Sequence, residues 1–475
     1  MDLIRGTLTQ ARAALDKGEV SSEELTRALI AQARRVQSQL NAFMQIDEDH
    51  ALQAARHADL ERDEAREADG KLPALHGIAL AHKDMFYRAG KASSGGSRIL
   101  AREVQTQTSP VLTRLDAAGA FEFGTLGMAE FAYGVTGHNH HYGDVGNAWN
   151  PAHVSGGSSS GSASSVAACA NFAALGTDTG ASVRVPAACN GVVGIKTSFG
   201  AVSRAAAMPL SQSLDTVGVL TRSVEDCALM FGVIAGADPQ DPPTSQWPFG
   251  DGWSWSARTD LRGVRIGVAD NYGHGECTDE VAAAMRESLD AMRARGAQIV
   301  PVSVPDVEAL LKLSLVVLQA EPAALHRPWM ETKASDYSPQ VLARLQAGLQ
   351  IPAHAYIDAL RMRSPLLARM RDEVFSQCDV LHAPVLTFPV PTRAETDVGG
   401  GPKMPEMIAA FGRYTRPINY LGLPSLSMPA GMAGGLPAGL QLIGPRFSEA
   451  MLFGIGAAYQ AESGFLGWQP PIARG

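Results

Sequence analysis

Apolar residues recur at helical spacing near the amino terminus. Between 22 and 38, leucine, isoleucine, valine and alanine return every three or four positions, which predicts an amphipathic helix. Ser21 and Glu24 fit a capping box that would begin this helix. An alanine-rich helical pattern continues over 41–68. We therefore predict an N-terminal helical arm over residues 1–65.

Beyond the arm, short apolar runs alternate with helical patterns. A strand is expected over 72–80, which places Lys83 just after a strand end, where catalytic groups often lie. Over 261–305 a strand, a helix near 278–295 and a second strand predict a parallel pair with a right-handed crossover. Residues 318–375 are mostly helical, and further strands are predicted at 379–392, 425–428 and 439–443 before a final helix. This order favours one large α/β domain over 66–475, with a central mixed β-sheet flanked by helices.

Composition narrows the class of protein. The chain has 475 residues, of which 45% are hydrophobic and 19% charged, so it can bury a large core. A net charge of −8 without long basic runs argues against nucleic-acid binding. No apolar run reaches membrane-spanning length, and charged residues near the amino terminus interrupt what would be the apolar core of a secretory signal. The chain has five cysteines, an odd number, and it contains no C-x-x-C pair. We expect a cytoplasmic protein with no membrane contact.

The segment 156–200 is dense in glycine and serine but is interrupted by apolar runs such as VAACANFAAL. It predicts a Ser/Gly loop, a closely packed helix of small residues, a short strand at 173–175 and a tight loop at 177–182. A turn such as GTDTGA can direct several backbone N–H groups at one point, which would stabilise an oxyanion.

The same segment, GGSSSGSASSVAACANFAALGTDTGASVRVPAACNGVVGIKTSFG, resembles the amidase signature. The runs GIALAHKDMF, TRPINYLGLPSLSMPAG and GLPAGLQLIGPRF are also similar to that family, and the resemblance covers roughly 41–461. It implies the single-domain amidase signature fold, with a catalytic core at 70–240 and 376–465 and a variable substrate-side region at 251–375. It also implies a free-standing bacterial amidase that cleaves a small-molecule amide without a cofactor, with a homodimer left open.

The resemblance also implies a catalytic triad. Its base falls on Lys83, its bridging serine, held by a cis peptide bond, on Ser158, and its nucleophile on Ser182. Lys83 can act only as the free amine, which requires its pKa to fall by about three units, or roughly 4 kcal/mol, through desolvation. After attack, an acyl-enzyme would be hydrolysed by water. The oxyanion hole would consist of the backbone N–H groups of Thr179, Gly180, Ala181 and Ser182.

Further residues are expected to support this site. Asp178 and Arg184 form an orienting pair, with Arg184 either paired to Asp178 or facing a substrate carboxylate. Thr177 and Asp215 are expected to brace the Ser-rich loop. Ser159 and Gly157 belong to the same supporting or substrate-binding set. The family usually has glycine at the position of Ala181, so a positive φ there would strain this alanine.

Three histidines, His138, His140 and His141, raise the question of a metal. No acidic or cysteine partner lies at ligand spacing, so no metal site is expected.

Two alternatives stay open. One is the A subunit of a tRNA-dependent amidotransferase, a glutaminase that passes ammonia to a partner. Two features count against it: the usual NMDEFAMGS motif of that subunit is GMAEFAYGV here, and the segment 321–349 more closely resembles free-standing amidases. The other is a catalytically inactive scaffold with the same fold, which a serine-reactive probe would fail to label. The substrate, and the shapes of the loops at 131–142 and after Pro384, are not readable from one sequence.

Overall fold

Two β-sheets organise the described part of the chain, residues 4–474 of a computed structural model. The strands are β1 (Phe43–Ile46), β2 (Ala79–Lys83), β3 (Phe121–Leu126), β4 (Ala173–Asp178), β5 (Val193–Lys196), β6 (Thr216–Thr221), β7 (Arg265–Val268), β8 (Gln298–Pro301), β9 (Val380–Pro384), β10 (Ser425–Ala433) and β11 (Leu436–Ile443). The small sheet has the order β1-β3-β2, and the large one β4-β6-β5-β10-β11-β9-β7-β8.

Helices cover these sheets and connect their strands. They are α1 (Leu8–Lys17), α2 (Ser22–Leu40), α3 (Glu48–Glu67), α4 (Pro110–Ala117), α5 (Ser160–Ala167), α6 (Arg184–Asn190), α7 (Val224–Ile234), α8 (Asp279–Ala294), α9 (Val307–Lys333), α10 (Pro339–Gly348), α11 (Ala353–Arg369), α12 (Arg393–Thr396), α13 (Met404–Gly412), α14 (Arg416–Leu421) and α15 (Glu449–Ser463). Within residues 4–474, no helix is both long and apolar enough to cross a membrane.

The large sheet is mixed. Strand β7 runs parallel to β8 and β9, whereas the other neighbouring strands of this sheet pair antiparallel. The β7-α8-β8 unit is the parallel crossover that the sequence predicts over 261–305. The single α/β domain with a mixed central sheet and flanking helices is therefore confirmed.

The amino-terminal region differs in one element from its prediction. The capping box is present, since Glu24 N donates to Ser21 Oγ at 3.0 Å and Ser21 N to Glu24 Oε2 at 2.9 Å. The predicted helix over 41–68 is wrong at its start, because β1 pairs antiparallel with β3 there. The backbone of β1 forms its hydrogen bonds with β3, which is distant in the sequence, and this tertiary pairing overrides the local helical pattern.

Three segments that carry the candidate residues meet beside β2 and β4. Strand β2 packs next to β4, and α5, whose residues are all buried, lies against both. Gly161 at the start of α5 permits this approach, because a Cβ there would lie 2.4 Å from the carbonyl oxygen of Ala42. Glycine is needed at this crossing, and it fixes how closely the Ser-rich segment approaches the small sheet.

Candidate active site

Lys83 is the last residue of β2 and is only 1% exposed. Its Nζ lies 2.8 Å from Ser158 Oγ and 2.9 Å from Thr177 Oγ1. The Thr177 hydroxyl donates to Met85 Sδ at 3.1 Å, so its oxygen is left to accept from the lysine. Burial lowers the pKa of Lys83 to about 7, against the opposing effects of the Asp215 and Asp178 carboxylates. A large share of the amine is therefore uncharged near neutral pH.

Ser158 is fully buried and follows a cis peptide bond from Gly157. The next residue, Ser159, ties this loop to the candidate nucleophile, because its N–H donates to the carbonyl oxygen of Ser182 at 3.2 Å. Its hydroxyl also lies 3.3 Å from both backbone polar atoms of Thr177. Gly157 leaves room for the loop, since a Cβ there would lie 2.8 Å from the carbonyl oxygen of Gly134. The Ser-rich loop and the loop after β4 are thus held together through the backbone.

Ser182 lies in the tight turn between β4 and α6 and is 5% exposed. Its hydroxyl forms no hydrogen bond with any residue from 4 to 474, and the residue lines a cavity. Ser158 and Ser182 are therefore not hydrogen-bonded in this state. Catalytic hydrogen bonds of this type often tighten only once substrate is bound.

The backbone around Ser182 offers free donors. Within the described chain, the N–H groups of Gly180, Ala181 and Ser182 donate to no acceptor, and all three residues line the same cavity as Thr179. The following two N–H groups are already used by the Asp178 carboxylate. Ala181 keeps a φ outside the left-handed region, so the strain considered for alanine at this position does not arise. This arrangement can bind an oxyanion.

Asp178 and Arg184 form a fully buried ion pair. Arg184 Nε and Nη2 donate to the two carboxylate oxygens at 3.1 and 3.0 Å, and the pair holds the pKa of Asp178 at about 2 despite burial. Asn419 and Gln441 complete the hydrogen bonds of the guanidinium at 2.6 and 3.1 Å. Arg184 does not line the cavity. Of the two roles considered for Arg184, the structure supports pairing with Asp178, and the substrate-facing role is wrong.

We expect Asp178→Asn to destabilise the protein by about 3–5 kcal/mol, because the Arg184 guanidinium would stay buried without its counter-charge. Urea unfolding followed by circular dichroism measures this free energy. Asp260→Asn is the control, since Asp260 pairs with Arg262 at the exposed surface and its loss should leave the unfolding midpoint unchanged. A loss below 1 kcal/mol in Asp178→Asn would contradict the buried pair's role.

Thr177 contacts the Ser-rich loop as expected, because its backbone N–H and carbonyl oxygen both lie 3.3 Å from the Ser159 hydroxyl. Its own hydroxyl also accepts from Lys83. Asp215 acts differently from its expectation, since it accepts the Thr179 hydroxyl at 2.6 Å and the N–H groups of Leu210 and Ser211 at 2.9 Å. Asp215 therefore positions the nucleophile loop.

Two of the three histidines in the 138–141 segment, His138 and His141, each contact one carboxylate. His138 Nδ1 lies 2.8 Å from Asp144 Oδ2, and His141 Nε2 lies 2.8 Å from Glu130 Oε1. In residues 4–474 no group of three histidine, cysteine or acidic side chains could hold a metal ion.

The cavity beside Ser182 contains two residues that the sequence prediction missed. Arg344 of α10 and Arg416 of α14 line it together with Tyr133, Leu318 and residues 179–182. The enclosed part of this cavity is only about 20 Å³, and the space is about 340 Å³ when the open solvent at its mouth is counted. The available signal was a charged side chain in two otherwise apolar helices, QVLARL and RPINYL.

Comparisons with known proteins show which family and fold the chain resembles. The sequence model of the Amidase family matches residues 24–453. The glutamyl-tRNA(Gln) amidotransferase A chain from Aromatoleum aromaticum is 36% identical, with 99% of this chain and 100% of that protein covered. A crystal structure of an amidase is 30% identical, with coverages of 96% and 99% and a TM-score of 0.84. The peptide amidase from Stenotrophomonas maltophilia is 30% identical, with 98% of each chain covered and a TM-score of 0.81.

Proposed function

The chain belongs to the amidase family, whose members act on C–N bonds, and from this premise we propose that it cleaves a carboxamide through Ser182, Ser158 and Lys83. The observation that carries the proposal is the buried Lys83 amine, which lies 2.8 Å from Ser158 Oγ. A serine hydroxyl is a weak nucleophile until a neighbouring base accepts its proton. A desolvated amine with a pKa near 7 is suited to that task at neutral pH.

The proposed cycle has two halves. Ser182 Oγ attacks the amide carbon while its proton passes to Ser158 Oγ, and the Ser158 proton passes to Lys83 Nζ. The C–N bond then breaks as the same chain returns a proton to the leaving nitrogen, which departs as ammonia or an amine. Water attacks the acyl-enzyme and releases the carboxylic acid with Ser182 restored. The free N–H groups of residues 180–182 would hold the oxyanion in both halves, and one such donor is typically worth about 10²–10³ in rate.

Amide hydrolysis should depend on pH through Lys83. The reactive form is the free amine, so kcat/KM for a neutral amide should be level above about pH 8 and fall about tenfold per pH unit well below pH 7. Initial rates between pH 5 and 9.5 measure this, with circular dichroism as the control for folding at each pH. A profile that stays flat down to pH 5 would contradict Lys83 as the base.

Trapping the acyl group tests the proposal directly. The protein would be incubated with a simple amide, quenched in acid and digested, and the peptide that contains Ser182 would be weighed by mass spectrometry. We expect an acyl adduct on Ser182, and added hydroxylamine should divert the product to a hydroxamate. Turnover without an adduct and without a hydroxamate would contradict an acyl-enzyme intermediate on Ser182.

A second candidate is the A subunit of an amidotransferase, and the curated relatives favour it by name. The solved structures include an amidase and a peptide amidase but also an amidotransferase A subunit, so they do not separate the two readings. Ammonia release by the purified chain alone distinguishes them. Efficient turnover of an amide other than glutamine supports the free-standing amidase, whereas glutamine turnover that needs added protein supports the amidotransferase reading.

We further propose that the protein works in the cytoplasm. The five cysteines are free, and all but Cys277 are fully buried, as suits a reducing compartment. A homodimer stays a prediction that sedimentation can check.

A further inference from the structure

Two buried cations share the cavity with the candidate nucleophile. Arg344 and Arg416 are 8% and 4% exposed, and both line the cavity that is also bounded by residues 179–182. Arginine is almost never this buried unless an anion pairs with it.

Neither guanidinium has such a partner within the protein. No carboxylate of residues 4–474 lies within 4 Å of either one, in contrast to Arg184 with its bidentate partner Asp178. Arg344 Nη1 donates to the carbonyl oxygen of Tyr133 at 2.5 Å, and its Cζ lies 3.5 Å above the Tyr133 ring. Arg416 has one long contact, from Nη2 to the carbonyl oxygen of Ile408 at 3.5 Å. Most of its donors are therefore unused.

Both groups nevertheless stay charged at neutral pH. Burial lowers the pKa of Arg344, and burial together with the charge of Arg344 lowers the pKa of Arg416 to about 10. The two cations repel each other in a poorly solvated space. An anion in the cavity would reduce this repulsion and would compensate the two guanidinium groups for their lost hydration.

Arg416 lies close to the residues that would hold the scissile carbonyl. A Cβ placed on Gly180 would be 3.5 Å from Cγ of Arg416, so the arginine stem packs directly over the nucleophile loop. Gly412 admits its guanidinium, because a Cβ there would be 2.6 Å from Nη2. An anion bound by Arg416 in this cavity would therefore share it with Ser182.

We propose that Arg344 and Arg416 bind a carboxylate of the substrate, so that the enzyme acts on a short amide with a carboxylate a few bonds from the scissile carbonyl. This inference rests on the proposed amide hydrolysis at Ser182. A guanidinium presents a planar fork that matches a carboxylate. Monoamides of short dicarboxylic acids, such as succinamate and glutaramate, are the simplest substrates of this class.

The charges around the cavity also argue against a substrate ammonium. Among the described residues that line it, none is acidic. The adjoining cavity holds three carboxylates. Glu130 already accepts from Ser97 and Ser338 and contacts His141. Asp144 contacts His138 and accepts from Asn139 N, and Asp397 lies at the exposed rim. Glutaramate should therefore be preferred over glutamine, which differs from it by an α-ammonium group.

Binding to the Ser182→Ala protein tests the inference without depending on turnover. Titration calorimetry would compare glutaramate with pentanamide, which has a methyl group in place of the carboxylate, and with glutamine. We expect glutaramate to bind at least about tenfold more tightly than pentanamide, since charged hydrogen bonds are the strong ones. Adding Arg416→Leu or Arg344→Gln should remove that preference, and Gly412→Ala should weaken it by displacing the Arg416 guanidinium.

Arg363→Gln in the same background is the matched control. Arg363 is partly buried and has a pKa lowered to about 10 by desolvation, but it lies against Phe199 and outside this cavity. Its loss should leave the preference for glutaramate intact. Equal binding of glutaramate and pentanamide, or loss of the preference in Arg363→Gln as well, would overturn the inference.

Turnover by the unmutated protein separates this inference from the proposed function. A kcat/KM ratio of about 100 between glutaramate and pentanamide would support both. Hydrolysis of pentanamide at an equal or higher rate would overturn the carboxylate site and leave the amidase intact. Tight, arginine-dependent binding of glutaramate without hydrolysis of any amide would uphold the site and contradict the proposed function. Tighter binding of glutamine would overturn the predicted substrate class and favour the amidotransferase reading.

Discussion

Ser182→Ala will lower kcat for amide hydrolysis by at least about 10⁴-fold, because the other hydroxyl of residues 179–182, that of Thr179, is already engaged by Asp215. The substitution removes the only atom that can carry the acyl group in the proposed cycle. It leaves the hydrogen bond from Ser159 N to the Ser182 carbonyl, so the loop should keep its shape. The measurement is ammonia release from a neutral amide and from glutaramate.

Ser164→Ala is the control for Ser182→Ala. Ser164 lies in the same buried Ser-rich segment, but its hydroxyl donates to the carbonyl oxygen of Gly146 and takes no part in the site. We expect near-normal activity from this variant. More than about 1% of the starting activity in highly purified Ser182→Ala would contradict the assignment of the nucleophile.

Lys83→Met should lower kcat by about 10²–10⁴-fold while the protein stays folded. Methionine fills much of the same space, and removal of a buried amine avoids its desolvation cost. The residual activity should also lose its dependence on pH near 7, because the group that titrates there is gone. Rates across the pH range and a thermal unfolding curve together measure this result.

The chain offers a matched control in Lys196→Met. Lys196 is also fully buried, and its pKa is likewise lowered to about 7 by burial, but its Nζ donates to the carbonyl oxygen of Thr197. It contacts none of the catalytic serines. If Lys196→Met lost as much activity as Lys83→Met, the effect would belong to the burial of lysine in this core and not to a base at Ser158.

The sequence predicts the elements whose signals are local. The capping box at Ser21 and the β7-α8-β8 unit each depend on residues close in the chain, and both are confirmed. Strand β1 is not predicted because its pairing partner, β3, lies about eighty residues away. A helical pattern in 41–68 carries no information about that partner.

The candidate site divides in the same way. The resemblance to the amidase signature places Lys83, Ser158 and Ser182, and the structure brings the lysine and Ser158 into contact. The contact of Thr177 with Lys83 and the contacts of Arg184 with Asn419 and Gln441 are tertiary and were not predicted. Arg416 is visible in the sequence, but its lack of a counter-charge is a property of the space around it, which only the folded chain defines.

The origin of Lys83 and Ser182 in different sheets has a consequence for inactivation. Lys83 ends a strand of the small sheet, whereas Ser182 follows a strand of the large one. The base and the nucleophile are therefore in register only while the two sheets are docked. If the contact between the two sheets loosened, catalysis would stop before either sheet lost its hydrogen bonds. Loss of turnover would therefore be an early sign of damage that secondary-structure spectroscopy would not detect.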